Sequence, residues 1–350
     1  MKAGIGIVGV GWWACLNHIP TLQASDIADC VAICDLDANR LKTVGDQFSI
    51  AGRYSDVTEM VRSERLDGVI VATPHVAHLA PTLLALEAGA HVLVEKPMAT
   101  TGADARTMEA AAARARRQIM VPTGMSFTSF TRTAAAMVRD GRIGTIRHAN
   151  CLMSSALEDL FAGEPMLEAA DHLFQPPAST WADPARAGGY GWGQLSHALG
   201  WLFHVCDLEF AAVACMDSKS KSGVDFYDAA IARTANGVTV SISGSATIPK
   251  HRGLHIEFRI FGSEGMLHFI SEAGDARMVL SRHDGTDNHP VILPSEIQYD
   301  GTLPVKAFAL LCAGQAVENP ANARIGRRVT EALEAMYRAA ASGRIETVGT

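Results

Sequence analysis

Three groups of residues in this sequence have types and spacings suited to chemistry. Gly9-Val10-Gly11-Trp12-Trp13-Ala14 follows an apolar run and fits the G-x-G-x-x-G/A pattern of a phosphate-binding turn. The first glycine permits the tight turn, the second lets backbone approach a pyrophosphate, and Ala14 lets the following helix pack close to the strand. A helix opening there aims unsatisfied N–H groups at an anion. Asp35 closes the next apolar run, where a carboxylate accepts a ribose 2'-hydroxyl and repels a 2'-phosphate, while Leu36 beside it offers no cation. Arg40, one turn on, reads either as a phosphate partner or as a solvated helix charge. These residues predict a dinucleotide site that takes NAD, with NADP disfavoured. The second group is Glu95-Lys96-Pro97, at the end of another apolar run. A lysine at the carboxyl edge of a parallel sheet can hold a substrate hydroxyl or carbonyl and stabilise alkoxide character. Pro97 fixes the turn and is compatible with a cis bond. An exposed salt-bridged pair ahead of a helix is the competing reading. The third group, His75 and His78, has the i, i+3 spacing of a metal pair but lacks a third ligand in frame, so no metal site is predicted.

The elements that must position these residues follow from periodicity. Apolar runs at Gly4–Val10, Asp29–Cys34, Gly68–Thr73, His91–Glu95 and Ile119–Thr123 alternate with helical patterns at Trp13–Ala24, Ala38–Phe48, His78–Ala88 and Ala103–Arg117. Gly89 reads as a helix C-cap. That alternation predicts a doubly wound parallel sheet, a Rossmann domain over residues 1–124. Beyond it the pattern changes to strand runs with few helices between them: Arg147–Met153, Phe210–Met216, Asp228–Thr234, Val238–Ala246, Leu254–Gly262 and Met266–Ile270. Asn236-Gly237 suits a tight hairpin. A helical piece reaches Asp140, another spans Gln194–Val205, and two close the chain at Val305–Glu318 and Arg324–Ser342. The fold class expected is therefore α/β, with a C-terminal α+β domain over 125–350 built on a mostly antiparallel open sheet.

Composition narrows the function. A chain of 350 residues accommodates two cores, and 48% hydrophobic with 19% charged residues is globular. Thirty basic against 37 acidic residues give a net charge of −7 with no basic stripe, which argues against nucleic acid. No run approaches the roughly 20 apolar residues of a membrane span. The run Ala3–Leu16 is read as strand and nucleotide turn rather than a secretion leader, since its glycines keep loop spacing and no small-residue cleavage site is evident. Seven scattered cysteines without a C-x-x-C pair suit reduced thiols in a cytoplasm.

The segment Thr73-Pro74-His75-Val76-Ala77-His78, the stretch Ala88-Gly89-Ala90-His91-Val92-Leu93-Val94-Glu95-Lys96-Pro97 and the turn Phe261-Gly262-Ser263-Glu264-Gly265 resemble the Gfo/Idh/MocA family, as do the glycine turn, the strand ending in Asp35 and the closing helix. The resemblance covers essentially the whole chain. It implies an NAD(P)-dependent oxidoreductase acting on CH-OH groups, moving a hydride between nicotinamide and a secondary alcohol or ketone of a sugar, polyol or derivative. It also implies a homo-oligomer, dimer or tetramer. Lys96 matches the family's catalytic or substrate-positioning lysine, with Glu95 orienting it. Thr73, Pro74 and His78 then lie along the nicotinamide side, and His75 is a cofactor contact or a helix cap.

Gly188-Gly189-Tyr190-Gly191-Trp192-Gly193-Gln194-Leu195-Ser196-His197 resembles the family's later motif, in which a histidine is the usual general acid/base. His197 matches it, and an imidazole changes charge near physiological pH. Two departures stand out. The acid common four residues before that histidine is Gly193 here, and the glycine two before it is Leu195. A relay rebuilt through Gln194, Asp171 or His172 would compensate. Trp192 is the aromatic best placed to face a sugar, although aromatics are more often core. The family's Arg-Phe pair is Ser126-Phe127, beside Met125 as a substrate contact, which argues against a strongly anionic substrate. The alternatives are an NAD-retaining oxidoisomerase or lyase, including a glycosidase type, that oxidises a sugar transiently, and a cofactor-binding regulator without catalysis.

Overall fold

The computed structural model describes residues 2–272, 274–296 and 299–349, which pack as two units. The first comprises Met1–Pro122 together with Pro165–Thr180 and Gly301–Arg327, and the second comprises Thr123–Glu164, Trp181–Asp300 and Arg328–Thr350.

The first unit is a six-stranded, all-parallel sheet of β1 (Ala3–Val8), β2 (Ala28–Cys34), β3 (Gly52–Tyr54), β4 (Gly68–Val71), β5 (His91–Val94) and β6 (Ile119–Met120). Its order, β3-β2-β1-β4-β5-β6, is that of a Rossmann sheet, in keeping with the doubly wound parallel sheet expected, with β3 in addition to the five strands expected. The central strands read as unbroken apolar runs because both of their faces are covered: Ile5, Ile7, Val69, Ile70, Val71, Val92, Leu93 and Val94 are all inaccessible to solvent. Helices start where side-chain caps are available, with Asp37 accepting from the Asn39 and Arg40 amides and Thr101 from that of Asp104. Gly89 takes φ +86° just past the helix Leu79–Glu87, as its C-cap reading required. Strand β3 and the helix Val57–Ser63 have no counterpart in the sequence reading. The stretch predicted as one helix from Trp13 is helical, already from Trp12, but it contains a π turn, Ala14–His18, before continuing as α-helix over Ile19–Gln23.

The second unit is an eight-stranded sheet of β7 (Ile146–Ser155), β8 (Phe210–Lys219), β9 (Asp225–Thr234), β10 (Thr239–Ser245), β11 (Leu254–Gly262), β12 (Gly265–Glu272), β13 (Asp275–Arg282) and β14 (Glu346–Thr347). The order is β13-β12-β11-β7-β10-β9-β8-β14, and every neighbouring pair is antiparallel except β7 with β10. Asn236-Gly237 does turn a hairpin, between β9 and β10, with Gly237 at φ +90°. The apolar face of this sheet is covered by the helix Ser196–Cys206, whose Trp201 stacks on Phe258 at 4.0 Å and donates its indole N–H to Thr131 Oγ1 at 2.8 Å. Truncating a fully buried tryptophan of this kind costs about 3–5 kcal/mol. That helix is also preceded by a π turn, Gly191–Leu195.

Candidate active site

In the first unit the glycine turn is shaped by close approach. Gly9 has φ +85°, and a Cβ there would lie 2.7 Å from the Ala72 carbonyl oxygen, so only glycine fits. A Cβ on Gly11 would meet nothing within 4 Å: the space in front of the second glycine is open. Asp35 is buried, and its Oδ2 accepts the Val10 N–H at 3.0 Å, which ties the turn to the tip of β2. Arg40 is turned onto Asp35 while its side chain stays 37% exposed. Its Nη1 donates to both Asp35 oxygens at 3.1 and 3.2 Å. Leu36 is 93% exposed. An open glycine cradle beside a preset carboxylate is what a dinucleotide's pyrophosphate and ribose require, so the residues fit NAD.

At the tip of β5 the Lys96-Pro97 peptide is cis. Burial pulls Lys96 down to about 8, against the opposing charge of Glu95. Burial also pushes Glu95 up, but His18, Lys96 and the Lys96 amide outweigh it and hold its carboxyl below the ordinary value. His18 is the residue that sequence reasoning missed. It is fully buried, and its Nε2 lies 3.0 Å from Glu95 Oε1. The π turn supplies the extra residue per turn that rotates it there, a register that no 3.6-residue periodicity announces.

The Thr73–His78 segment closes on the same strand tips. His78 is buried and places Nδ1 2.9 Å from the Pro97 carbonyl and Nε2 2.9 Å from that of Thr73, clasping two loops together. Burial pulls its ring below the ordinary value, although both carbonyls oppose this. His75 is buried and Pro74 exposed. Among the described residues no group of His, Cys, Asp and Glu could hold a metal ion. Asp171 is exposed, and His172 is engaged by Trp12, whose indole N–H donates to its Nδ1 at 2.8 Å.

In the second unit His197 lies near the start of the buried helix, with the Tyr299 ring edge-on at 5.5 Å. The π turn before it is capped by distant side chains. Asp225 Oδ2 accepts the Gly191 N–H at 2.7 Å, Tyr337 donates its hydroxyl to Asp225 Oδ1 at 2.7 Å, and that hydroxyl accepts the Trp192 N–H at 3.2 Å. This explains the glycines of the motif. A Cβ on Gly189 would sit 2.0 Å from Asp225 Oδ1, and one on Gly191 2.7 Å from the Tyr337 hydroxyl. Asp228 is buried beside Asp225, and burial together with the Asp225 and Asp217 charges raises it well above its ordinary value. Trp192 is 7% exposed and lies flat on Tyr337, with ring centroids 5.3 Å apart, which leaves little more than its edge for a ligand. Gln194 is half-buried. Met125 is buried and lines a small cavity with Thr128, Phe130, Phe269 and Tyr299.

Residues 3–123 match the profile of an oxidoreductase family with an NAD-binding Rossmann fold, and residues 131–268 match the C-terminal domain of Gfo/Idh/MocA proteins. The chain belongs to the Gfo/Idh/MocA family. It is similar to a D-apiose dehydrogenase of Paraburkholderia graminis, with 26% identity covering 97% of this chain and 88% of that one. It is 30% identical to an inositol 2-dehydrogenase of Acidothermus cellulolyticus, over 82% of this chain and 77% of the relative. Its fold is that of levoglucosan dehydrogenase solved with NADH, at a TM-score of 0.77 and 19% identity, covering 99% of both chains. The departure from the family pattern at Gly193 has a local cause. A Cβ there would lie 2.9 Å from the Phe161 ring and 3.2 Å from that of Trp181, so two aromatic rings fill the place a longer side chain would need.

Proposed function

We propose that this Gfo/Idh/MocA protein is an NAD-dependent dehydrogenase that interconverts a secondary alcohol and its ketone on a sugar, polyol or sugar derivative. The observation that carries this reading is Lys96, on the strand tip of an NAD-binding unit, brought down to about 8 beside an ionised Glu95. Bound NAD supplies the nicotinamide carbon that exchanges a hydride with the substrate. Lys96 holds the substrate oxygen and, with its pKa near working pH, can also take or return the hydroxyl proton. Glu95 orients the ammonium. His197 is the second proton-exchanging group, on a helix whose first turn is fixed from outside. Met125, Gln194 and the edge of Trp192 contact the substrate, and Thr73, Pro74 and His75 contact the cofactor.

The relatives named above support this class. Both curated ones are dehydrogenases of polyhydroxy compounds by name, which disfavours the transient-oxidation alternative. NAD is preferred over NADP because Asp35 occupies the ribose position and already engages Arg40. Nucleotide binding is assigned to residues 1–124, and substrate binding and self-association to 125–350. A homo-oligomer is supported by one apolar group on β8 and β9, where Met216 and Ile231 are 79% and 64% exposed beside Tyr227. The seven free thiols suit a reducing cytoplasm, and no described helix is long and apolar enough to cross a membrane. A panel of sugars, inositols and their lactones, followed at the NADH absorbance with NAD and with NADP, tests the reading. Net NADH should accumulate with at least one polyol, and Lys96→Ala should abolish it; turnover by that variant at the wild-type rate would end the proposal.

A further inference from the structure

Residues Pro165–Thr180 follow the last Rossmann strand by more than forty positions, yet they pack with the nucleotide-binding unit. Little of this segment is buried, and Leu167 is 79% exposed, so core formation does not explain its course. Two side chains attach it. His172 takes the indole N–H of Trp12 at 2.8 Å, with the two rings stacked at 21°. Two residues later, the Phe174 ring lies 5.7 Å from the guanidinium carbon of Arg40. Trp12 belongs to the glycine turn and Arg40 is held on Asp35, so the attachments fall at the pyrophosphate end and the ribose end of the same nucleotide site. Leu173, between them, is 38% exposed. The segment also carries its own turn, in which the His172 amide donates to the Ala169 carbonyl at 3.0 Å and the Gln175 amide reaches the same oxygen.

We infer that residues 165–180 form a strap that completes the site for the adenosine diphosphate half of NAD, with His172 and Phe174 as its functional contacts. The strap leaves the space before Gly11 open while fixing the two side chains that border it. His172 holds Trp12 in one orientation through a bond that needs an unprotonated Nδ1. Phe174 keeps the Arg40 fork over Asp35 and away from any 2'-phosphate, which makes an aromatic residue from beyond the Rossmann sequence a determinant of NAD preference. A cation on an aromatic face contributes about 0.5–2 kcal/mol.

This inference rests on the reading of the glycine turn as a dinucleotide site, and calorimetric titration of the whole protein with NADH and NADPH separates the two. If the wild type binds neither nucleotide, the dinucleotide reading itself fails. If it binds NADH, His172→Ala and Phe174→Ala should each weaken NADH about 3- to 30-fold, Leu173→Ala should change it less than about twofold, and Phe174→Ala should narrow the preference for NADH over NADPH. The unfolding midpoint of each variant without nucleotide confirms that the fold is intact. An independent reading comes from chymotrypsin, whose cuts after Leu167, Leu173 and Phe174 should slow when NADH is bound to the wild type. An intact His172→Ala/Phe174→Ala double variant that binds NADH like the wild type would overturn the strap.

Discussion

Lys96 sits against the charge of Glu95, with the His18 ring behind Glu95, whereas the backbone before His197 is held from a distance by a buried aspartate and a phenol, and aromatic rings fill the space beside that turn. Both positions are entered through a π turn, Ala14–His18 in one unit and Gly191–Leu195 in the other. In the first, the turn delivers a side chain that tunes a neighbour. In the second, it is itself the thing held still. A substitution near Lys96 should therefore move a pH profile, and one near His197 should move orientation and stability.

The largest effect tests the charged half. Lys96→Ala should lower kcat/KM by roughly 10²- to 10⁴-fold, the range for loss of a positioned acid or base. In the wild type, alcohol oxidation needs the neutral amine to accept a proton, so its rate should rise with pH and level off above about 8. Ketone reduction needs the ammonium and should decline through the same pH. Rate profiles in both directions without an inflection near that value would show that Lys96 does not titrate during turnover. Next in size is His18→Gln, which removes the ring held 3.0 Å from Glu95 Oε1, one of the contacts that keep the Glu95 carboxyl low. The Glu95 charge then falls more heavily on Lys96, raising its pKa and moving the oxidation limb to higher pH, with a loss of up to about 10²-fold from misplacement. An unmoved limb would make His18 merely a packing residue.

The half around His197 should respond differently. Tyr337→Phe strips the hydroxyl shared by Asp225 and the Trp192 amide and should cost about 1–3 kcal/mol of stability, read from denaturant midpoints, while leaving the pH limb of Lys96 in place. A shifted limb would mean that the two halves are not independent. The smallest effect is a gain. Asp228 has a folded-state pKa raised above its unfolded value, so the unfolded chain sheds its proton first and stability falls as pH climbs from about 4 toward the folded value. Asp228→Asn lacks that slope and should melt higher than the wild type at pH 7, with the difference closing in acid. Equal melting temperatures at pH 7 would show that the buried acid is compensated.

How much of this the sequence revealed follows the same division. Gly9, Asp35, Glu95 and Lys96 were legible because a turn and a strand tip place them by local spacing, and the central strands announce themselves by unbroken apolar runs. Strand β3 did not, being three residues long with none of them buried. His18 was hidden by the π turn. Asp225 and Tyr337 were hidden by distance, since they reach Gly191 and Trp192 from 34 and 145 residues away. The glycine at position 193 was visible as a departure, but its reason, the Phe161 ring, lies on a helix with no motif of its own.

The helix Thr302–Cys312 has a consequence for synthesis. It belongs to the nucleotide-binding unit, where Phe308 and Cys312 lie so close to Gly68 of β4 that a methyl group there would strike both. A ribosome must therefore translate about 190 residues beyond β6 before the parallel sheet acquires this cover. A fragment ending near residue 124 would expose greasy surface that this helix hides, so the Rossmann portion is a poor choice for separate expression and ripens only once the helix Thr302–Cys312 has emerged.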